Sequence, residues 1–108
     1  MNTSIFLISL YLICTQSAIA DFKSTLLLAN QGDPQAQNYL GYMYENGVEV
    51  KQDIAEALKL YKLSAAQGNA SSQYEIGLMY RTGKGVTQDN FEAVKWYQLS
   101  AAQGDAMA

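Results

Sequence analysis

The sequence contains no histidine, one cysteine and one proline among its 108 residues. Without histidine, acid–base catalysis by an imidazole and zinc binding through an imidazole are both excluded. The single cysteine, Cys14, cannot form an intramolecular disulfide. Basic residues are also few: seven Lys and Arg are scattered among ten Asp and Glu, which gives a net charge of −3. Because nucleic-acid-binding proteins carry clustered positive charge, we expect no nucleic-acid partner.

Residues 1–20 have the pattern of a cleavable secretion signal. Residues 5–14 are apolar apart from one serine, and this run is too short to span a bilayer as a helix. Ala18 and Ala20 form a small-x-small cleavage site immediately before Asp21. The start departs from the usual pattern because MNTS carries no Lys or Arg, so a retained anchor or a misassigned start is the alternative. We expect an exported chain, periplasmic or secreted, with no membrane attachment after cleavage.

The rest of the chain repeats itself every 36 residues. Residues 32–67 and 68–103 align without a gap and are identical at 18 of 36 positions. A fixed period in this range indicates a helix–turn–helix unit stacked on copies of itself. The sequence therefore predicts an all-α, superhelical α/α solenoid of two complete repeats. A partial repeat at 21–31 precedes them, and the start of a truncated third repeat follows at 104–108.

Each repeat is predicted to contain two helices, called helix A and helix B below. Helix A is predicted at 34–46 and 70–82, and helix B at 53–67 and 89–103, from apolar residues at helical spacing. Residues 22–31 match the end of a helix B. Polar side chains that can accept a hydrogen bond occupy the four expected N-terminal cap positions: Asp33, Asp53, Asn69 and Asp89.

Two pairs of equivalent residues predict further local contacts. Glu56 and Glu92 each follow a cap by three residues, which is the pattern of a capping box. Gly41 and Gly77 lie inside helix A, where glycine costs about 1 kcal/mol relative to alanine. Because both copies carry this cost, we expect each glycine to permit close contact with a facing helix that is rich in alanine.

The first repeat has the pattern G-D-x-x-A-x-x-x-L-G-x-M-Y-x-x-G, and the second keeps its three Gly positions and its Met-Tyr pair. Spaced Val, Asp, Ala, Tyr and Ala-Ala positions follow in both repeats. This pattern over residues 32–103 resembles the Sel1-like repeat (SLR), a relative of the tetratricopeptide repeat. The resemblance implies a right-handed solenoid that acts as an adaptor for protein–protein contacts and that bacteria often export. Two departures lie in the first repeat. Glu49 stands where the loop pattern has its second glycine, and Leu60 stands where the pattern has tryptophan.

Catalytic chemistry has little support in the sequence. Arg81-Thr82-Gly83 is similar to the Lys-Thr-Gly element of penicillin-recognising enzymes, and a cysteine-rich branch of the SLR family is associated with β-lactam binding and hydrolysis. A β-lactam-binding or hydrolysing cell-wall-associated protein is therefore one alternative. However, the chain has no Ser-x-x-Lys element and lacks the cysteines of that branch. We interpret the segment as a helix-terminating turn, and predict no enzyme activity, cofactor or metal.

Differences between the two copies of helix A indicate a candidate binding surface. Positions 35, 38, 42 and 45 form one stripe at helical spacing, and helix A lines the concave groove in tetratricopeptide-like solenoids. We expect Tyr42 and Tyr74 to face solvent. Neutral surface drift is the alternative to partner binding. The predicted partner-binding residues are Gln35, Asn38, Tyr39, Tyr42, Glu45, Ser71, Tyr74, Glu75, Leu78 and Arg81.

The sequence therefore favours an exported scaffold that binds a protein or a peptide. A fragment of a longer repeat protein is a further alternative. Val94, Tyr97 and Ala101 lie on the face of helix B that the next repeat would cover. Because solenoids normally need about three repeats for stability, we expect the isolated chain to be marginally stable or to self-associate end to end.

We predict that the purified exported protein begins at Asp21, because Ala18 and Ala20 fit the cleavage site. Intact-mass measurement of the exported protein checks this directly. A mass that includes Met1 would show that the segment is retained, and would contradict the prediction of export by cleavage.

Overall fold

A computed structural model describes residues 21–104, with side chains from residue 22 onwards. The predicted signal segment and residues 105–108 of the predicted third repeat lie outside the described residues. Within residues 21–104 there are five helices and no strand, which confirms the predicted all-α solenoid. The helices are α1 (Asp21–Asn30), α2 (Pro34–Asn46), α3 (Ile54–Ala66), α4 (Ala70–Thr82) and α5 (Asn90–Ala102). The predicted helices A are α2 and α4, the predicted helices B are α3 and α5, and α1 is the predicted partial helix B.

All four predicted caps form. In each case a side-chain oxygen accepts a hydrogen bond from the backbone N–H three residues later, at 2.9–3.1 Å. Each such cap typically stabilises a helix by about 1 kcal/mol, because it satisfies an N–H that has no partner inside the helix. The capping residues are Asp33, Asp53, Asn69 and Asp89.

The second half of the predicted capping box is wrong. A capping box would direct the glutamate side chain back to the N–H of the cap residue. Instead, the Asp53 N–H donates to the Tyr44 carbonyl oxygen at 2.8 Å, and the Asp89 N–H donates to the Tyr80 carbonyl oxygen at 2.9 Å. These bonds join the start of each helix B to the last turn of its helix A. The N–H of the cap residue therefore stabilises the packing of the two helices instead of completing a capping box.

The predicted close approach at the two helix-A glycines is confirmed. A Cβ atom built on Gly41 would lie 2.8 Å from Cε1 of Tyr61, and one built on Gly77 would lie 2.7 Å from Cε1 of Tyr97. Both distances are shorter than carbon atoms can tolerate. The tyrosine ring of helix B therefore lies directly on the backbone of helix A, and this contact, rather than facing alanines alone, accounts for both glycines.

The hydrophobic core consists of two clusters joined by one side chain. The first cluster packs α1, α2 and α3 together, and the second packs α3 and α4 together. Tyr44 of α2 packs against both clusters, so the core continues from one repeat to the next. The buried members of the first are Ala29, Ala36, Leu40, Met43 and Leu60. Those of the second are Ala57, Tyr61, Ala65, Ile76 and Met79.

Buried hydrogen bonds repeat with the same 36-residue period. Gln37 Nε2 donates to the Ala29 carbonyl oxygen at 3.2 Å, and its equivalent Gln73 donates to the Ala65 carbonyl oxygen at 3.1 Å. Each bond joins a helix A to the end of the preceding helix B. Within the repeats, the hydroxyls of Ser64 and Ser100 donate to backbone carbonyls at the start of helix A. These bonds fix the register of neighbouring helices, since a shift would leave buried polar atoms without partners.

The loops after α2 and α4 share a backbone conformation with positive φ, which is strained only in the first loop because a glutamate rather than a glycine occupies the position. Gly85 has a φ of 75°, and Glu49 at the equivalent position has a φ of 62°, which is unfavourable for a residue with a side chain. Gly85 is also needed for space, because a Cβ there would lie 2.6 Å from Cγ2 of Ile54. The second loop therefore packs against helix B of the first repeat, and glycine permits that contact.

Helix α5 exposes the face that α3 buries against α4. Tyr61 of α3 is 1% exposed, whereas its equivalent Tyr97 is only half-buried. Ala65 is buried but Ala101 is exposed, and Val94 is 51% exposed. Among the described residues, nothing takes the place on α5 that α4 takes on α3.

We expect Gly77→Ala to lower the free energy of unfolding by about 1–3 kcal/mol, because the new methyl group would overlap the Tyr97 ring. At an exposed helix position the same change would be stabilising by about 1 kcal/mol. Urea denaturation measures the difference. In a Tyr97→Leu background the Gly77→Ala penalty should largely disappear. An equal penalty in both backgrounds would show that the ring is not the cause.

Candidate functional site

Helices α2 and α4 form the sides of a surface groove whose base is closed by α3. The groove contains an open cavity of 290 Å³. Tyr61 of α3 lies at its base, since this side chain is almost completely buried. We call this feature the tyrosine groove, and its lining residues are Asn38, Tyr39, Tyr42, Tyr61, Ser71 and Glu75. All of them except Tyr61 are among the residues predicted to bind a partner.

Two exposed tyrosines form the aromatic side of the tyrosine groove. Tyr39 and Tyr42 are three residues apart on α2, which places them on neighbouring positions of the helix surface. Their rings stack with centroids 6.1 Å apart and an angle of 17° between the planes. Tyr39 is 41% exposed and Tyr42 is 49% exposed. The pair therefore presents aromatic surface to solvent at the edge of the cavity.

The carboxylate of Glu45 fixes the position of Tyr61 at the base of the tyrosine groove. The Tyr61 hydroxyl donates to Glu45 Oε1 at 2.7 Å. Lys84, in the loop after α4, donates to Glu45 Oε2 at 2.9 Å and forms an ion pair with it. Burial, followed by the hydrogen bond to Glu45, raises the pKa of Tyr61 far above its usual value. Tyr61 therefore stays neutral and donates a hydrogen bond to Glu45, while Lys84 joins the second repeat to the first.

Glu75 contributes a carboxylate that is unpaired in the described chain. Its side chain is half-buried, and it accepts no hydrogen bond from another residue within 22–104. Burial and the negative charge of Glu45 raise the pKa of Glu75, and Lys84 only partly opposes this shift. The ionised carboxylate of Glu75 is thus poorly stabilised by its own protein.

The Sel1 repeat family matches residues 34–69 and 70–105. The chain belongs to the Sel1 repeat family. The family places each repeat boundary two residues later than the repeat units defined from the sequence, with the same spacing of 36 residues between the copies. Sel1 repeat proteins generally mediate protein–protein interactions and are typically non-enzymatic scaffolds.

Solved structures with the same fold support this assignment. The chain is 40% identical to a Sel1 repeat protein from Oxalobacter formigenes, with a TM-score of 0.69 over 71% of this chain. It is 47% identical to a protective antigen of uropathogenic Escherichia coli strains that displays an SLR fold, again with a TM-score of 0.69 over 71% of this chain. The chain spans 32% and 16% of the lengths of these two proteins. A comparison with curated proteins gives no match.

Several residues predicted to be free for a partner instead join the two repeat units defined from the sequence, 32–67 and 68–103. Asn38 Oδ1 accepts a hydrogen bond from the Ser72 hydroxyl at 2.7 Å, and Gln35 Oε1 accepts one from Asn69 Nδ2 at 3.0 Å. Glu45 is held by Tyr61 and Lys84 as described above. The assumption that positions differing between copies have no structural task is therefore wrong for Gln35, Asn38 and Glu45. A residue can differ between repeats because its contact is with a different neighbour.

The predicted residues of the second helix A are divided between packing and surface. Ser71 and Glu75 line the tyrosine groove. The expectation that Tyr74 faces solvent is wrong, because it is half-buried and its ring centroid lies 5.5 Å from that of Tyr97. The last two predicted residues lie outside the groove lining. They are the half-buried Leu78 and the exposed Arg81.

Two residues of the site were not predicted. Tyr61 is identical in both repeats, so comparison of the copies assigned it to the shared architecture. Lys84 lies in a loop rather than on helix A. Its equivalent is Val48, so the same comparison would have found Lys84 if it had included the loops.

The described residues offer no support for other site chemistry. The Arg81–Gly83 segment ends α4, with Gly83 at a φ of 73° and its N–H donating to the Met79 carbonyl oxygen, as expected for a helix-terminating turn. Within residues 21–104 there is no group of three or more His, Cys, Asp or Glu side chains placed to hold a metal. None of the five helices in this range has the length and apolar content of a membrane span.

We expect Glu75→Gln to raise the melting temperature at about pH 7 and to leave it nearly unchanged below about pH 4. The Glu75 pKa is raised in the folded state. The protonated carboxyl therefore contributes stability that is present below the usual glutamate pKa and is lost as the pH rises through the raised value. Glutamine keeps the neutral form at every pH. Thermal melts of both proteins across this range measure the difference.

Glu49→Gln is the matched control, because it removes the same charge from an exposed loop residue. This variant should show no gain that grows with pH. A gain of the same size in both variants would reflect the net charge of the chain rather than the burial of Glu75.

Proposed function

We propose that this chain is an exported Sel1 repeat scaffold that holds a protein or peptide partner in the tyrosine groove. The exposed, stacked pair Tyr39 and Tyr42 carries this proposal. Tyrosine is enriched among the residues that dominate binding energy in protein interfaces, because it buries a large area with few rotatable bonds. The ring pair lies beside an open cavity rather than on a flat surface, so a partner side chain can be partly buried there.

The packing around the tyrosine groove supports a preformed site. The groove base is fixed by the Tyr61–Glu45–Lys84 contacts, and its sides are joined by the Asn38–Ser72 hydrogen bond. A rigid groove loses less conformational entropy when it binds than a flexible surface does. The proposed scaffold therefore offers a partner a site whose shape is set before the partner arrives.

Export is supported by the sequence at residues 1–20. The short apolar run and the Ala18-x-Ala20 site are the features of a cleavable signal. We propose that the scaffold acts outside the cytoplasm, in the periplasm or as a secreted protein.

The double variant Tyr39→Ala/Tyr42→Ala tests the proposed function. We expect it to reduce capture of partners from the exported fraction by at least about tenfold, since such aromatic anchors typically contribute about 2 kcal/mol or more each. Helicity should be unchanged and the free energy of unfolding should fall by no more than about 1 kcal/mol, because both side chains are largely exposed. Quantitative mass spectrometry of the captured proteins measures the effect.

Leu63→Ala is the matched control. Leu63 is 48% exposed, close to the exposure of Tyr42, but it lies on helix B and outside the tyrosine groove. Capture should be unaffected by this change. If the tyrosine variant and the leucine variant retain the same proteins equally, the tyrosine groove is not the binding surface.

A further inference from the structure

The tyrosine groove contains an acidic group that has no partner among the described residues. Glu75 lines the cavity, is half-buried, and has no hydrogen-bond or ion-pair partner among residues 22–104. Its neighbour Glu45 differs in this respect, because Glu45 is bonded to both Tyr61 and Lys84. Glu75 is therefore the carboxylate of the cavity lining that a cation could pair with.

The ionised form of Glu75 is energetically unfavourable in the folded chain. Burial and repulsion from Glu45 both disfavour the charged form of Glu75. Natural proteins keep such locally unfavourable groups chiefly where they serve function. A positive charge placed beside Glu75 would offset both unfavourable effects by direct attraction, so a cationic ligand is the complementary one.

The other lining residues also suit a cation. The stacked rings of Tyr39 and Tyr42 line the same cavity and are 41% and 49% exposed. The face of a tyrosine ring attracts a cation electrostatically, and the attraction is greater where water is displaced. An arginine or lysine side chain also has an apolar stem that packs against aromatic rings. The cavity of 290 Å³ is large enough for one such side chain.

We propose that the tyrosine groove binds an arginine or lysine side chain of a peptide partner, with Glu75 as its ion-pair partner and Tyr39 and Tyr42 against its stem and charge. This inference rests on the proposed function and specifies the chemistry of the partner. The net charge of −3 acts in the same direction, because it attracts basic peptides at long range. Lys84 does not occupy the site, since it is paired with Glu45.

A titration with four synthetic peptides tests this inference. Each is a capped heptapeptide of glycine and serine whose central residue is arginine, lysine, norleucine or glutamate. The full chain is titrated with each, and the ring signals of Tyr39 and Tyr42 are followed by NMR. We expect the arginine and lysine peptides to bind at least about fivefold more tightly than the norleucine peptide, which has a comparable apolar stem without the charge. The glutamate peptide should not bind.

Glu75→Gln separates binding from stability. This variant should bind the arginine peptide at least about fivefold more weakly, although its melting temperature at neutral pH is expected to be higher. Its affinity for the norleucine peptide should not change. Glu49→Gln should bind every peptide as the unmodified chain does. A purely structural role of Glu75 could not produce this loss of charge discrimination in a more stable protein.

The inference is overturned if the arginine and norleucine peptides bind equally, if none of the four peptides binds, or if Glu75→Gln leaves the discrimination intact. The proposed function is judged separately, by the capture experiment with Tyr39→Ala/Tyr42→Ala. Groove-dependent capture without a preference for cationic peptides would retain the scaffold and reject the cation site. If the cationic peptides bind selectively but the tyrosine variant captures partners as well as the unmodified chain does, the cation site is retained and the proposed scaffold function of the groove is rejected.

Discussion

The contact between the Tyr61 ring and the Gly41 backbone determines the geometry on which the rest of the chain depends. Without a Cβ at Gly41, the ring lies directly on helix A, and a methyl group would approach it to 2.8 Å. This position buries Tyr61 and brings its hydroxyl to Glu45. Glu45 in turn binds Lys84 of the following repeat. One close contact within a helix pair thus places the base of the tyrosine groove and an ion pair between repeats.

The same contact has different consequences in the second repeat. Tyr97 lies on Gly77 as Tyr61 lies on Gly41, but Arg81 replaces Glu45 and Tyr74 replaces Asn38. No carboxylate stands at that helix position to accept the Tyr97 hydroxyl, and the ring packs against Tyr74 instead. Shared positions therefore build the helix pair, while the differing positions decide whether its surface becomes a polar groove or an aromatic contact.

The site combines groups with opposite effects on stability. Asn38 and Glu45 stabilise the junction of the repeats through hydrogen bonds. Glu75 is half-buried and has no partner within residues 22–104, and Tyr39 and Tyr42 expose aromatic surface to water. In a solenoid, each repeat contacts only its neighbours, so unfavourable groups at one junction leave the other junctions unaffected. The junction between the two repeats can therefore carry a binding site while the buried clusters maintain the fold.

The sequence by itself determined the repeat period, the helices, their caps and the fold, because these depend on local hydrogen bonds and on apolar residues at helical spacing. It also identified most of the groove lining, since helix periodicity places Asn38 and Tyr42 on one stripe. Only the tertiary structure decided which of those residues are committed to packing. Lys84 lies 39 residues from its partner Glu45, and no local pattern encodes a contact at that separation. The partial burial of Tyr74 and of Glu75 likewise depends on how closely neighbouring helices pack, which is a property of the assembled repeats.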